Sequence, residues 1–320
     1  LWGTHPAALA RIRAAGTDDL ARYPELYADR LREAVSARFA VDVECVTTGC
    51  GSDDVLDSAF RAAAGPGAAV SYADPTFSMI EPLARMNGME PRPVPWPEAL
   101  ADAGRLLEGD PSLVYVCRPN NPTGEQAPLA WVDDLLSRIG PEGPLVIVDE
   151  AYADFAGETL IPWAPEHPRL LVARTSSKAY GLAGLRAGFA VASPAVALEI
   201  EKSRGPYKVT RLGADAAAAA VEDAEGWMAR TVAEAVASRE RLTGELTRRG
   251  LPPLPSRSNF LLFPSLSGSA RDDALRLREH GVAVRPFTGI PEMGEGLRVT
   301  VGPWPLMERF LAALDAERGS

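Results

Sequence analysis

Lysine is scarce in this chain: Lys178, Lys202 and Lys208 stand against thirty arginines. Nearly all the positive charge is therefore carried by groups that stay protonated, and a retained lysine points to work a guanidinium cannot do. Cysteine is equally sparse. Cys45, Cys50 and Cys117 lie in or beside apolar stretches with no CxxC spacing. That argues against a disulfide framework or zinc ribbon and fits free thiols packed as small hydrophobes in a reducing, cytoplasmic setting. The three histidines, His5, His167 and His280, have no ligand spacing and read as structural or exposed; no metal site is expected. No run of about 20 apolar residues is present, and no basic segment followed by a short apolar one opens the chain, so neither a membrane span nor a secretion signal is read. A net charge of −10 argues against nucleic acid or an acidic membrane face as partner.

What is present is an ordinary globular composition over 320 residues, 46% apolar and 24% charged, long enough for two cores. Apolar runs of strand length alternate with helical patterns, the mark of βαβ units and a mainly parallel sheet. The strands expected are Ala69–Tyr72, Leu113–Cys117, Leu145–Val148, Leu170–Ala173 and Gly188–Ala192, several apolar throughout, as strands covered on both faces should be. Helices are expected over Asp54–Ala64 and Leu129–Ile139. From about Thr210 to Arg249 the chain is Ala-rich, charged and almost free of breakers, which predicts long helices leaving the first domain. A second α/β pattern follows, with strands at Asn259–Phe263, Val282–Pro286 and Leu297–Val301 and helices over Ala270–His280 and Pro305–Arg318.

Open α/β sheets bind ligands at the carboxyl ends of their strands, so the turns there carry the candidate chemistry. Thr48-Gly49-Cys50-Gly51-Ser52-Asp53-Asp54 runs from a strand into a helix whose first N–H groups and dipole suit a phosphate. Standing alone, it is an ordinary N-cap. Cys117-Arg118-Pro119-Asn120-Asn121-Pro122-Thr123-Gly124 ends an apolar strand in a turn rigid enough to fix an Asn side chain as a donor. Val146-Ile147-Val148-Asp149 places a carboxylate at the end of a buried strand, where it needs a cation or donors as partner. Both a metal and a protonated ring nitrogen meet that need, and the lack of a nearby histidine favours the second. Arg174-Thr175-Ser176-Ser177-Lys178, with Arg186 eight residues beyond the lysine, gathers hydroxyls, an amine and a guanidinium in one glycine-rich segment. An amine can lose its proton and condense with an aldehyde; Arg cannot.

Together the four segments resemble the fold-type I pyridoxal-phosphate enzymes of the class I and II aminotransferase superfamily, above all the histidinol-phosphate aminotransferase group. Further matches run in order from Arg22-Tyr23-Pro24-Glu25 through Asp74-Pro75-Thr76-Phe77-Ser78-Met79, Gly205-Pro206-Tyr207 and Ser258-Asn259-Phe260 to Leu297-Arg298-Val299-Thr300-Val301-Gly302. The resemblance implies a large domain with a mainly parallel sheet of the seven-stranded type sandwiched by helices, plus a smaller α/β C-terminal domain. It divides the chain into an arm over 1–30 (part of the small domain and a dimer contact), a cofactor domain over 31–225 and the small domain over 226–320.

It also implies pyridoxal 5′-phosphate as cofactor, held as a Schiff base on Lys178, which then acts as the base at the substrate α-carbon. By the same resemblance Asp149 pairs with the pyridine nitrogen, Asn121 and Tyr152 hydrogen-bond the phenolic oxygen, and Phe77 stacks on the ring. Ser52, Asp53, Thr175, Ser177 and Arg186 hold the phosphate, with Tyr23 reaching in from the neighbouring subunit of a homodimer. Arg298 clamps the substrate carboxylate. Departures from the group concern substrate: Leu1-Trp2-Gly3-Thr4-His5-Pro6 replaces an Asn-Glu-Asn-Pro stretch, Phe77 replaces Tyr, and Lys208 stands where Asn is typical. Lys208 and Arg285 are candidates for the substrate's anionic end, with Lys208 equally readable as a solvated loop residue. Three functions remain open at this point. The first is an aminotransferase working between an amino donor such as glutamate and a 2-oxo acid or phosphorylated ketone. The second is a decarboxylase of the threonine-phosphate type. The third is a cofactor-binding regulatory domain, which would need a basic DNA-binding domain ahead of it.

Overall fold

The computed structural model describes residues 1–319. Ten strands form two sheets. β1 (Val46–Gly49), β2 (Ala69–Asp74), β3 (Glu90–Pro95), β4 (Leu113–Cys117), β5 (Leu145–Asp149), β6 (Leu170–Thr175) and β7 (Gly188–Ala192) make a seven-stranded sheet in the order β1-β7-β6-β5-β4-β2-β3. Only β7 runs against the rest, so the mainly parallel sheet expected from the alternating pattern is what forms. Every residue of β4, β5, β6 and β7 is buried, because helices cover both faces and leave the strands no polar side. One face packs Val114, Val116, Val146, Val148 and Val172; the other packs Leu113, Tyr115, Leu145, Ile147 and Leu171. This is the period-2 alternation of a pleated strand buried twice.

β8 (Phe260–Pro264), β9 (Arg285–Ile290) and β10 (Gly294–Thr300) form an antiparallel sheet in the order β8-β10-β9. It shares a separate core with the Ala270–Glu279 and Trp304–Gly319 helices, centred on Leu261, Phe263, Leu277, Leu297 and Phe310. The 22-residue helix Trp227–Arg248 joins the two cores: Met228 and Ala235 are buried with the large sheet, Leu242 and Leu246 with the small one. The passage between the two thus falls inside one helix rather than in a linker. The N-terminal arm touches both. Ala8 and Ala28 are buried with the large core, while Trp2 Nε1 donates to the carbonyl of Val301 at 3.3 Å.

Pairing register carries the candidate turns to one edge. Cys117 of β4 lies opposite Asp149 of β5, and Asp149 opposite Ala173 of β6. Thr175 at the end of β6 and Gly49 at the end of β1 both oppose Gly188 at the start of β7. Gly188 is glycine for a spatial reason: a Cβ there would come within 2.4 Å of Ser52 N and 2.5 Å of Gly51 C. The glycine turn and the start of the Ser52–Ala63 helix can press against the sheet edge only because that side chain is missing.

Candidate active site

A cavity of about 250 Å³ opens at this edge. From the glycine turn and helix start it is lined by Ser52 and Asp53, and from the loop after β2 by Phe77. The ends of β4 and β5 and the turns after them add Cys117, Asn121, Asp149, Ala151 and Tyr152. Beyond β6 come Thr175, Ser177, Lys178 and Arg186. Ten residues singled out in the sequence from four separate segments and one loop therefore converge on one space. A second cavity of about 580 Å³ shares Tyr152, Ser177 and Lys178 and extends toward the small sheet, where Trp2, Phe155, Asn259, Phe260 and Arg298 line it.

At the floor, Asp149 is 3% exposed. Its Oδ2 accepts from the Tyr115 hydroxyl at 2.8 Å and its Oδ1 from the Ala151 amide at 3.0 Å. Burial pushes its carboxyl above the usual range, with Tyr115 and the Ala151 amide opposing the push. It has two donors and, among the described residues, no ion-pair partner, so a cation entering the cavity would complete it. A protonated pyridine nitrogen is such a cation. The donor set of the whole cavity, a buried carboxylate at one end and helix amides with Arg186 at the other, fits pyridoxal phosphate.

Arg186 reaches across to the helix start, where its Nη2 lies 3.2 Å from Asp53 Oδ2. It does so from a left-handed backbone conformation, φ +50°, which is uncommon for a non-glycine residue and concentrates at working sites. Thr175 Oγ1 accepts from the Ser177 amide at 3.2 Å and shapes the turn that leads to Lys178. Lys178 Nζ stands 5.6 Å from the centre of the Tyr152 ring. Withdrawal from bulk water lowers its pKa, the positive charge of Arg298 lowers it further, and Asp149 opposes both. A larger share of neutral amine at a given pH is the consequence.

Arg298 sits on β10, the middle strand of the small sheet, directly opposite Arg285 of β9. Like charges facing across a ladder destabilise it, so the pair is a cost that an anion between them would remove. Both guanidinium groups lie over Phe287, at 5.4 Å and 5.6 Å, and Arg298 also lies 4.7 Å over Phe260. Arg298 Nη1 donates to Asn121 Oδ1, which leaves Nδ2 as the donating end of that amide. Phe260 meets Tyr152 edge to face at 5.1 Å. The two sheets are thus joined at the cavity by residues that line it.

Three residues named from the sequence line neither cavity, Arg285 among them, although it pairs with Arg298 across the small sheet. Lys208 forms an ion pair with Asp54 in the first turn of the Ser52–Ala63 helix and lines neither cavity. Tyr23 stands outside the cavity of its own chain, 78% exposed, with its ring 5.0 Å from that of Tyr207. Three aromatics escaped sequence reasoning as lining residues: Trp2, Phe155 and, beyond its place in a matching segment, Phe260. They carry no motif; the signal available was only that apolar rings flank the turns. Tyr115, which lies behind Asp149, reads from sequence as one more core residue of an apolar strand.

Replacing Arg298 by leucine has one effect that the geometry itself predicts. The pKa of Lys178 rises, because a nearby positive charge that favoured its neutral form is gone. The pH profile for cofactor capture by the apo chain should accordingly move to higher pH, as a stopped-flow titration would show.

Comparison with known proteins places the site in context. The family described as aminotransferase class I and II matches residues 4–314. Histidinol-phosphate aminotransferase 2 of Rhizobium meliloti is 38% identical over 317 residues, covering 98% of this chain and 89% of that protein. A crystal structure of histidinol-phosphate aminotransferase from Sinorhizobium meliloti in complex with pyridoxal 5′-phosphate superposes with a TM-score of 0.87 at 27% identity, over 98% of this chain and 86% of that one. The L-threonine-O-3-phosphate decarboxylase of Porphyromonas gingivalis, TM-score 0.84 over 100% of this chain and 98% of that one, is 21% identical and shares the fold.

Proposed function

Since the chain belongs to the class I and II aminotransferase family and is a pyridoxal-phosphate-dependent enzyme, we propose that it moves an amino group between glutamate and a phosphorylated ketone, reversibly giving 2-oxoglutarate and a phosphorylated amino alcohol of the histidinol-phosphate type. The observation that carries this reading is the meeting of Lys178, Asp149 and Arg186 in one cavity, with Arg298 lining the adjoining one and Arg285 paired to it across the small sheet. Two arginines side by side suit either the carboxylate of glutamate or a substrate phosphate.

Bound there, pyridoxal phosphate supplies an aldehyde that accepts the amino group and an electron-poor ring that stabilises negative charge at the substrate α-carbon. The chain's own residues do the rest. Lys178, its amine partly neutral, takes the proton from the α-carbon. Asp149 keeps the ring nitrogen protonated from the cavity floor. Asn121 Nδ2 and the Tyr152 hydroxyl donate to the phenolic oxygen, and Phe77 packs on the ring face. The Ser52 and Asp53 amides, with Thr175, Ser177 and Arg186, hold the phosphate. Arg298 orients the substrate by its carboxylate, while Trp2, Phe155 and Phe260 shield the reacting atoms from water.

A homodimer belongs to the same reading. Leu20, Tyr23, Leu26, Tyr27 and Tyr207 are large apolar residues left exposed. Lys208, next to Tyr207, pairs with the helix that begins at Ser52, so this surface adjoins the phosphate end of the cavity. A second copy covering it would bring its Tyr23 to the neighbouring phosphate. Among the described residues no helix is long and apolar enough to cross a membrane; a cytoplasmic enzyme of amino-acid biosynthesis is the setting proposed.

The test is a panel of amino donors, each added alone to the cofactor-loaded enzyme and followed by absorbance. Glutamate should release 2-oxoglutarate and histidinol phosphate its ketone, each leaving the amino form of the cofactor. Release of carbon dioxide from threonine phosphate, with no amino transfer from glutamate, would replace this reading by a decarboxylase.

A further inference from the structure

Tyr115 belongs to the core by position and to the site by its hydroxyl. It lies on β4 two residues before Cys117, and the alternation of a strand puts the two on one face. Cys117 lines the cofactor cavity and pairs across the ladder with Asp149, so Tyr115 lies one step beneath the cavity floor. Its ring is fully buried among Tyr72, Leu113, Leu145 and Ile147, where phenylalanine would pack as well. A hydroxyl taken out of water is costly unless it finds an acceptor, and the acceptor here is Asp149 Oδ2 at 2.8 Å.

Resting on the reading that Asp149 meets the cofactor's ring nitrogen, we infer that Tyr115 is a positioning residue: its O–H and the Ala151 amide hold one Asp149 oxygen each, lock the carboxylate's rotation, and aim it at that nitrogen. Each oxygen of a carboxylate accepts more than one hydrogen bond, so both stay open to the ring N–H. With only the backbone amide left, the side chain could turn about its last bond. A carboxylate deep in a protein is also helped to stay ionised by each donor it gains. Tyr115 is a permanent donor, since burial and the neighbouring Asp149 push its own ionisation far above the working range.

The experiment compares two ligands on the apo chain, pyridoxal phosphate and its 1-deaza analogue, in which a C–H replaces the ring nitrogen. Both carry the aldehyde and the phosphate, so Lys178 and the phosphate site contribute equally. In Tyr115→Phe, pyridoxal phosphate should bind on the order of tenfold more weakly, and the 1-deaza compound should be unchanged. In an Asp149→Ala background the same substitution should no longer alter pyridoxal phosphate affinity, the non-additivity expected of a coupled pair. Equal weakening of both ligands would make Tyr115 a packing residue, and no weakening of either would remove its role; each overturns the inference. A wild-type chain that binds the two ligands equally would instead overturn the Asp149 reading itself. Should Tyr115→Phe fail to fold, the native apo chain carries the test. Its downfield hydroxyl proton that vanishes in Asp149→Ala should shift on adding pyridoxal phosphate and stay put on adding the 1-deaza compound. A proton that responds to both alike, or to neither, would overturn the inference.

Discussion

Lys178→Ala should lower the rate of amino transfer from glutamate by at least about 10⁴-fold, since a positioned base is worth up to about that much and covalent attachment is lost with it. Lys178→Arg should be as slow, because a guanidinium neither loses its proton nor condenses with an aldehyde. The cofactor itself should still be held, by Asp149 and by the Ser52, Asp53 and Arg186 end of the cavity. The loss should therefore appear in kcat, and a small primary amine added to Lys178→Ala should return part of it. Lys178 opens onto the cavity, forms no ion pair among the described residues and has its charge disfavoured there, so alanine should not lower the unfolding free energy of the apo chain by more than about 0.5 kcal/mol. A rate within tenfold of the parent, in a protein freed of added amines, would mean that the proton is moved by another group.

Asp149→Asn should slow the reaction by on the order of 10²–10³-fold, the range in which a preorganised charge-stabilising group acts. Its effect on stability should have the opposite sign. Burial holds the folded carboxyl above its unfolded value, so the apo chain is favoured while Asp149 is protonated and loses that advantage as pH rises from the unfolded toward the folded pKa. At neutral pH the unfolded carboxyl is ionised, so the folded chain bears the cost of having that group buried. An amide of the same shape removes it: its single oxygen can still accept from the Ala151 N–H, while its NH2 donates to the Tyr115 hydroxyl oxygen. Thermal unfolding of the apo variant at neutral pH should thus lie above that of the parent, whereas added pyridoxal phosphate should stabilise the variant less. An unchanged rate, or an apo melting point below the parent's, would contradict this account of Asp149.

Much of the fold was legible because burial on both faces writes itself as unbroken apolar runs. β4 and β7 form with the bounds their runs predict, and β5 and β6 extend theirs by one and two residues into the turns. β3 was not legible: Glu90–Pro95 carries three prolines, which read as a breaker. It forms at the sheet edge, where a strand needs ladder bonds on one side only. β1, the strand expected ahead of the glycine turn but given no bounds, is four residues long. In the small sheet the middle of β9 falls three to four residues later than expected, because Pro286 and Gly289 look like punctuation and are instead edge-strand residues.

The site was legible to the extent that chemistry sits in turns. Asp149, Asn121, Lys178 and Arg186 announce themselves by residue type against an apolar strand end. Trp2 does not, since its place above the cavity depends on the arm folding back so that the His5 amide donates to the Tyr180 carbonyl at 3.2 Å. Gly181 at φ +67° allows that approach, for a Cβ there would lie 2.1 Å from the carbonyl oxygen of Gly3. The pairing of Arg285 with Arg298 required the register of two strands, and the pairing of Lys208 with Asp54 required the helix start. Tyr115 needed the knowledge of which neighbour its ring tip meets, which no pattern of hydrophobicity encodes.

With only three lysines, the central claim has a direct chemical test. The apo chain is mixed with pyridoxal phosphate, reduced with borohydride and digested, and the peptide bearing the reduced pyridoxyl group is identified by mass spectrometry. The account predicts one group per chain, on Lys178. A label spread over Lys202, Lys208 and the N-terminal amine, or its absence from the Lys178 peptide, would contradict it.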